Sequence, residues 1–315
     1  MTELQTRRPA GRGAAAVPPA PPRPYALWRD RGGRLSALRI ATLVVLVAPG
    51  LAAAVALATA QPPAAAVGAL AAAAARPITD AIHATGDWAV RFLLLSLAVT
   101  PAMRLFRQPR LVGVRRMIGV GAFAYAAAHF CLYVADQSLD LVKVASEIVL
   151  RIYLTIGFVA LLGLCALAAT STDVMVRRLG ANWQRLHRLA YPIAVLALLH
   201  FFMQSKIDVS QPVLMTGFFL WLMGVRASLG RGVVGVGGLV VLAVAAAAAT
   251  ALVEAGWYAV ATGVEPGRVL AANLGFAFGP RPAVTVLAAG LAVAAAVAVA
   301  RGCQGRQPAA ATRRG

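Results

Sequence analysis

Residues 186–202, with the sequence LHRLAYPIAVLALLHFF, form an apolar stretch that carries two histidines thirteen residues apart, His187 and His200. A second apolar stretch, GVGAFAYAAAHFCLY over residues 119–133, carries His129. An imidazole inside a bilayer is costly and needs a partner, so each of these histidines marks a candidate functional site. The pattern predicts neighbouring membrane helices that hold a group between them.

The composition is typical of a polytopic membrane protein. Of 315 residues, 60% are hydrophobic and 13% are charged, and apolar runs recur at the ~20 residues that a helix needs to cross a bilayer. This composition excludes a disordered chain and disfavours a soluble domain. The formal net charge of +19 is concentrated between and outside the apolar runs. There it predicts membrane orientation, not nucleic-acid binding.

The hydropathy pattern predicts an all-α transmembrane bundle of eight helices. Their predicted cores are Ile40–Ala60, Trp88–Met103, Met117–Val134, Ile152–Ala169, Leu189–Met203, Pro212–Val225, Val233–Val253 and Ala283–Ala300. The first core ends in a sequence that resembles a signal-peptidase site, but it is longer than a signal peptide's roughly 7–15 apolar residues, so we interpret it as a retained span. The alanine-rich run Ala64–Ala75 is too short to cross and predicts an external surface helix.

Arginines concentrate in alternate connections. They lie before helix 1, after helices 2, 4 and 6, and in the C-terminal tail, whereas the other connections are mixed or acidic. The positive-inside rule makes the arginine-rich side cytoplasmic and places both termini there. Residues 1–36 are expected to form a disordered basic cytoplasmic arm, and residues 302–315 a basic cytoplasmic tail.

His129 and His200 are expected at the same depth in the membrane. Each lies thirteen residues beyond a predicted cytoplasmic boundary, at Arg116 and His187, which is ~20 Å along a helix. A heme held between two helices by two axial histidine ligands needs both histidines at the same depth. Histidines that only pack against neighbouring helices do not need to match in depth. His187 itself is either a ligand or an interfacial residue. A straight helix turns it ~140° away from His200, unless Pro192 introduces a kink.

His83 precedes the predicted core of helix 2 on the outer side. It is either a surface residue or part of an external quinone, flavin or partner site. The chain shows no nucleotide-binding loop or hydrolase motif that would compete with heme. The chain also has no soluble segment large enough to bind NAD or FAD, so a heme in this protein would exchange electrons with other molecules.

Three segments resemble, in order and with similar spacing, a known family. They are residues 83–106, 115–133 and 151–202, and the run TSTDVMVRRLGANWQRLHRLAY over residues 170–191 is especially similar. The family is the heme-binding membrane subunit of the periplasmic methionine-sulfoxide reductase system, MsrQ or YedZ, within the ferric reductase-like transmembrane superfamily. The resemblance covers a six-helix domain over residues 37–229. Residues 230–301 add two spans outside it.

The resemblance implies a heme b electron-transfer subunit in the bacterial inner membrane, without a catalytic site of its own. Its donor would be the quinone pool or a cytosolic flavin reductase. Its acceptor would be a periplasmic molybdopterin enzyme that reduces methionine sulfoxide in oxidised envelope proteins. A flavin mononucleotide (FMN) is also associated with the family.

The resemblance assigns heme-iron ligation to His129, His200 and His187, and it matches His83 to the family's H-x-T-G position. Oxidases of the wider superfamily carry a second histidine where this chain has Arg116, so the inner site departs from that pattern. Arg116 could bind a heme propionate or a flavin phosphate, or serve as a positive-inside anchor. Two alternatives stay open: a ferric or other metal reductase, and a heme-free transporter or assembly factor.

Overall fold

In a computed structural model, the described part of the chain is helical, and it comprises residues 28, 34–59, 77–205, 208–232, 234–273, 275 and 279–305. The helices are α1 Ala37–Thr59, α2 Pro77–Leu105, α3 Val112–Asp136, α4 Leu141–Leu150, α5 Ile152–Ala169, α6 Asp173–Leu179, α7 Ala181–His187, α8 Ala190–Gln204, α9 Ser210–Gly230, α10 Val236–Thr262, α11 Pro266–Ala272 and α12 Pro282–Gly305. The predicted surface helix Ala64–Ala75 lies outside the described residues, as do most of the N-terminal arm and the C-terminal tail.

Eight helical segments within the described residues are long and apolar enough to cross a membrane. They are α1, α2, α3, α5, the continuous pair α7–α8, α9, α10 and α12. The predicted all-α fold with eight spans is therefore confirmed. The short helices α4, α6 and α11 were not predicted, because their seven to ten residues are too few for the ~20-residue apolar runs that identify a span.

Helix α2 begins earlier than predicted, and this corrects the position of His83. The helix starts at Pro77 and not near Trp88, so His83 lies inside it. Proline at the first helical position lacks only an N–H that would be unpaired anyway. The Thr85 hydroxyl donates to the Ala81 carbonyl at 2.7 Å, which satisfies this polar side chain within the helix.

Pro192 interrupts the helical hydrogen bonding of the fifth span between α7 and α8. Because proline has no N–H, the carbonyl of Arg188 cannot receive the usual bond from the residue four positions later. The Tyr191 N–H donates to it instead, at 3.1 Å, and the chain turns at Arg188 and Leu189. The bend therefore lies one turn before the proline, and it separates the segment of His187 from that of His200.

The C-terminal helices α10 and α12 pack tightly on α9 and on each other. A methyl group on Gly217 of α9 would clash with the Thr250 hydroxyl of α10, and one on Gly290 of α12 would lie 2.5 Å from the Ala243 methyl. Small residues that permit such close approach are the usual basis of helix association in lipid. The last two spans, α10 and α12, thus share a packed interface with α9.

The arginine-rich connections meet at one end of the bundle, called here the arginine-rich end. Arg39 of α1 lies near Gly113 of α3, and Arg116 pairs with Asp173 of α6. Arg226 of α9 lies close enough to Arg104 and Arg115 to interact electrostatically. The arginine-rich connections, which alternate with other connections along the sequence, therefore lie at the same end of the bundle.

Candidate heme site

His129 of α3 and His200 of α8 face each other between their helices. Their ring centres are 6.3 Å apart, and the ring planes are inclined at 85°. This short separation means that the two rings lie at matching heights, as their equal spacing from Arg116 and from His187 predicts, at the end of the bundle opposite the arginines. This opposite end is called here the histidine-pair end, and His129 and His200 the histidine pair.

Each ring of the histidine pair is anchored through Nδ1. Nδ1 of His129 lies 2.8 Å from the Ile82 carbonyl oxygen of α2, and Nδ1 of His200 lies 2.8 Å from the Tyr153 carbonyl oxygen of α5. A carbonyl oxygen only accepts, so Nδ1 must carry the proton in the neutral ring. The lone pair is then on Nε2, for which the described residues provide no hydrogen-bond partner. This is the usual arrangement of a metal-ligating histidine.

A glycine lies close to each ring. A methyl group on Gly86 would lie 2.9 Å from Nδ1 of His129, and one on Gly157 would lie 2.6 Å from Nδ1 of His200. Real Cβ atoms essentially never approach so closely. The absence of a side chain at these two helical positions therefore makes the space that the rings occupy.

The spacing of the histidine pair fits two axial ligands of one iron. A metal–imidazole bond is about 2 Å long and the ring centre lies about 1 Å behind the nitrogen, so ligands on opposite sides of one ion have ring centres about 6 Å apart. The observed separation is 6.3 Å. The two neutral imidazole nitrogens are also the donor type that heme iron accepts.

His187 is arranged differently. Its ring stacks on Trp183 with ring centres 4.0 Å apart, and its Nε2 lies 3.3 Å from the Thr170 hydroxyl oxygen. The hydroxyl proton is directed at the Ala166 carbonyl, 2.7 Å away, so Nε2 of His187 must be the donor. Among the predicted ligands, the structure therefore brings His129 and His200 together and leaves His187 apart at the arginine-rich end.

Arg116 and His83 lie on opposite sides of the histidine pair. Arg116 donates to a carboxylate oxygen of Asp173, and it lies near enough to His187 to interact with it electrostatically. His83 is exposed near Asp87 and His129, with which it interacts electrostatically. The structure thus places Arg116 with His187 and His83 with His129.

Sequence reasoning missed the anchors and the glycines. Ile82 and Tyr153 act through their carbonyls, so their side chains give no signal. One signal was present in the sequence. In α2 with α3, and again in α5 with α8, the residue with the anchoring carbonyl precedes the histidine by 47 residues, and the glycine follows that residue by four. This repeated spacing, Ile82–Gly86–His129 and Tyr153–Gly157–His200, could have identified both sets.

A polar cluster lies at the histidine-pair end, beside α5. The Tyr133 hydroxyl donates to Glu147 at 2.7 Å, and Arg151 donates to the other oxygen of Glu147 at 3.3 Å. Arg151 also donates to the Tyr153 hydroxyl at 3.1 Å. Tyr153, whose backbone carbonyl anchors His200, is therefore itself held through its side-chain hydroxyl.

Comparison with known proteins identifies relatives over about half of the chain, and the matched family model includes His129. A family model described as the ferric reductase like transmembrane component matches residues 85–198. A protein of Xanthomonas oryzae pv. oryzae is 45% identical over 157 residues, which are 49% of this chain and 71% of the relative. A protein of Bordetella pertussis is 41% identical over 157 residues, or 49% of this chain and 76% of the relative.

Both relatives carry the name protein-methionine-sulfoxide reductase heme-binding subunit MsrQ. No solved structure matches the chain. The identity and the share of the relatives that is covered are sufficient to show the family, and the matched family model agrees with it. The chain belongs to the MsrQ family, within the ferric reductase-like transmembrane superfamily.

Proposed function

We propose that this protein is a heme b electron-transfer subunit whose iron is held by His129 and His200. The observation that carries the proposal is the histidine pair: two membrane-embedded rings 6.3 Å apart with Nδ1 anchored and Nε2 available. The name of the curated relatives, heme-binding subunit, supports the same cofactor.

When bound, heme b supplies a one-electron ferric–ferrous couple. His129 and His200 would hold the iron from two sides and would leave no coordination site for a substrate, which suits electron transfer and not oxygen chemistry. The carbonyls of Ile82 and Tyr153 hold each ring in one orientation and make its ligating nitrogen more basic. The protein is then an electron-transfer subunit without a catalytic site of its own.

The proposed route runs outward across the bacterial inner membrane. The arginine-rich end is cytoplasmic under the positive-inside rule, so the histidine pair lies towards the periplasm. The donor is the quinone pool or a cytosolic flavin reductase. The acceptor is a periplasmic molybdopterin-dependent methionine-sulfoxide reductase, and the role is repair of oxidised envelope proteins.

A second cofactor site is proposed at the arginine-rich end, around His187 and Arg116. This site would hold a second heme, through His187, or the phosphate of FMN, through the arginines. Both side chains have protein partners, Thr170 and Asp173, so binding requires that these contacts be exchanged. His83, at the histidine-pair end, is proposed to line the docking site of the acceptor.

A ferric or other metal reductase is the second candidate, because the matched family model is described as a ferric reductase like component. The test reduces the purified protein without oxygen and follows its heme absorbance. Rapid reoxidation by the sulfoxide reductase together with a methionine-sulfoxide substrate supports the proposal. Reoxidation by a ferric chelate, with none by the sulfoxide reductase, would favour the metal reductase.

A further inference from the structure

The ring planes of the histidine pair are nearly perpendicular, at 85°, and each ring is restrained by two contacts. Its Nδ1 bonds to a backbone carbonyl, and a glycine lies close to Nδ1 and the neighbouring ring atoms. The acceptors come from different helices, α2 for His129 and α5 for His200. The angle between the planes is therefore set by how α2 and α5 are packed.

We infer that Gly86 and Gly157 are positioning residues that fix the angle between the two axial imidazole planes. The inference rests on the proposed ligation of heme by this pair. The same three-part unit occurs twice with the same spacing: a carbonyl, a glycine four residues later, and a histidine 47 residues after the carbonyl. Each helix pair, α2 with α3 and α5 with α8, presents one ring to the shared iron.

The two glycines are not equally restrictive. An added methyl group at Gly157 would lie 2.6, 2.7 and 3.0 Å from three atoms of the His200 ring. One at Gly86 would lie 2.9, 3.1 and 3.7 Å from the corresponding atoms of His129. An imidazole ring is rigid, so it can escape such contacts only by rotating or moving as a whole. Gly157→Ala must therefore displace its ring further than Gly86→Ala.

The plane angle has an electronic consequence that can be measured. An imidazole donates π density to the iron d orbital perpendicular to its ring plane. Perpendicular planes act on two different orbitals and keep them close in energy, whereas parallel planes act on one orbital and split the pair. In ferric low-spin heme, a small splitting gives an electron paramagnetic resonance (EPR) spectrum with one feature at large g. A large splitting gives a rhombic spectrum with three features.

The chain offers a matched control in Gly163, which lies on α5 like Gly157 and also faces α8. A methyl group there would lie 2.7 and 2.8 Å from the Ile193 side chain, so Gly163→Ala creates a similar clash between the same two helices without touching a histidine. A second control is Gly119→Ala on α3, where nothing lies within 4 Å of the added methyl group.

The experiment records EPR spectra of the full-length ferric protein in lipid nanodiscs. The signal of this site is identified by its loss in His200→Ala. We expect a large-g signal in the wild type, a shift towards the rhombic form in Gly157→Ala, and a smaller shift in Gly86→Ala. Both control variants should keep the wild-type signal, and the heme midpoint potential should move with the EPR shift.

Three results would overturn the inference: a rhombic wild-type signal, no shift in Gly157→Ala and Gly86→Ala, or an equal shift in Gly163→Ala. If Gly157→Ala fails to retain heme, the EPR spectra of the wild type and of Gly86→Ala still test the inference. In each of the three overturning results the wild-type protein keeps its heme b absorbance band, so the proposed function stands. Absence of that band from the wild type would instead overturn both.

Discussion

Arg226 of α9 donates a hydrogen bond to the backbone carbonyl of Leu97 in α2. In an unbroken helix this carbonyl would receive the N–H of the residue at position 101, but that residue is Pro101. An unpaired backbone carbonyl is costly in the interior of a membrane protein, and a neighbouring helix often supplies the missing donor. Arg226 thus repairs the break that proline makes in α2, and Tyr191 holds it in place at 2.9 Å.

The first prediction concerns this repair. Arg226→Leu should lower the free energy of unfolding by about 1–3 kcal/mol, the usual cost of leaving a buried acceptor unpaired. In a Pro101→Ala background the loss should be smaller, because alanine at that position restores the helical N–H. Denaturant titration of the four proteins of this cycle in bicelles gives the coupling. Equal losses in the two backgrounds would show that Arg226 stabilises the protein in another way.

The second prediction concerns a buried ion pair in the additional spans. Glu254 is 1% exposed and accepts from Arg281 at 3.2 Å and from Asn273 at 2.8 Å. Arg281→Ala should lower the free energy of unfolding by about 3–5 kcal/mol, because it leaves the buried Glu254 carboxylate without its charged partner. Glu254→Ala should cost less, because the Arg281 side chain is 32% exposed and can turn to water.

The control for this comparison is Arg268→Ala, which removes an exposed arginine from the neighbouring helix α11. This variant should change the free energy of unfolding by no more than about 0.5 kcal/mol. Denaturant titrations of the three variants provide the measurement. If Glu254→Ala proved as harmful as Arg281→Ala, both charges would have to be treated as equally buried.

The third prediction separates the two proposed cofactor sites. His187 hydrogen-bonds to Thr170 and stacks on Trp183, with no contact to the histidine pair. His187→Ala should therefore lower the heme or flavin content per protein while the absorbance and EPR signals of the histidine pair are retained. Thr170→Val is a companion variant that frees Nε2 of His187 without removing it. Loss of the histidine-pair signals in His187→Ala would show that the sites are not independent.

The fourth prediction concerns orientation. Cys303 is exposed near the end of α12 and should react with a membrane-impermeant maleimide only after spheroplasts are opened. Val142→Cys on α4, where the native side chain is 82% exposed, should react in intact spheroplasts. Cys131 and Cys165 lie within spans. A Cys303→Ala protein therefore measures the background labelling from these two cysteines. Labelling of Cys303 in intact spheroplasts would reverse the proposed topology.

Much of this fold is predictable from the sequence, because hydropathy alone sets the length of a span. The equal spacing of His129 from Arg116 and of His200 from His187 is sufficient to predict both rings at one height. Pro192 indicates a bend, but its exact place depends on which carbonyl loses its donor. That place is Arg188, one turn earlier.

Other features depend on tertiary contacts that a linear pattern does not contain. Arg226 has the same sequence appearance as the positive-inside arginines around it, and its pairing with Leu97 depends on how α9 packs against α2. Gly86 and Gly157 appear as ordinary helix-packing glycines until a ring is found against each. Helix α4 escaped prediction because its ten residues are too few for a span.

The central claim is that His129 and His200 together hold one heme. Its most direct test is heme quantitation, with reduced-minus-oxidised spectra, of the wild type, His129→Ala, His200→Ala and a control. The control is Phe130→Leu, which removes an aromatic ring from the same turn of α3. We predict that either histidine variant loses the same b-type α-band and that Phe130→Leu keeps it. A full b-type band in both histidine variants, or none in the wild type, would contradict the claim.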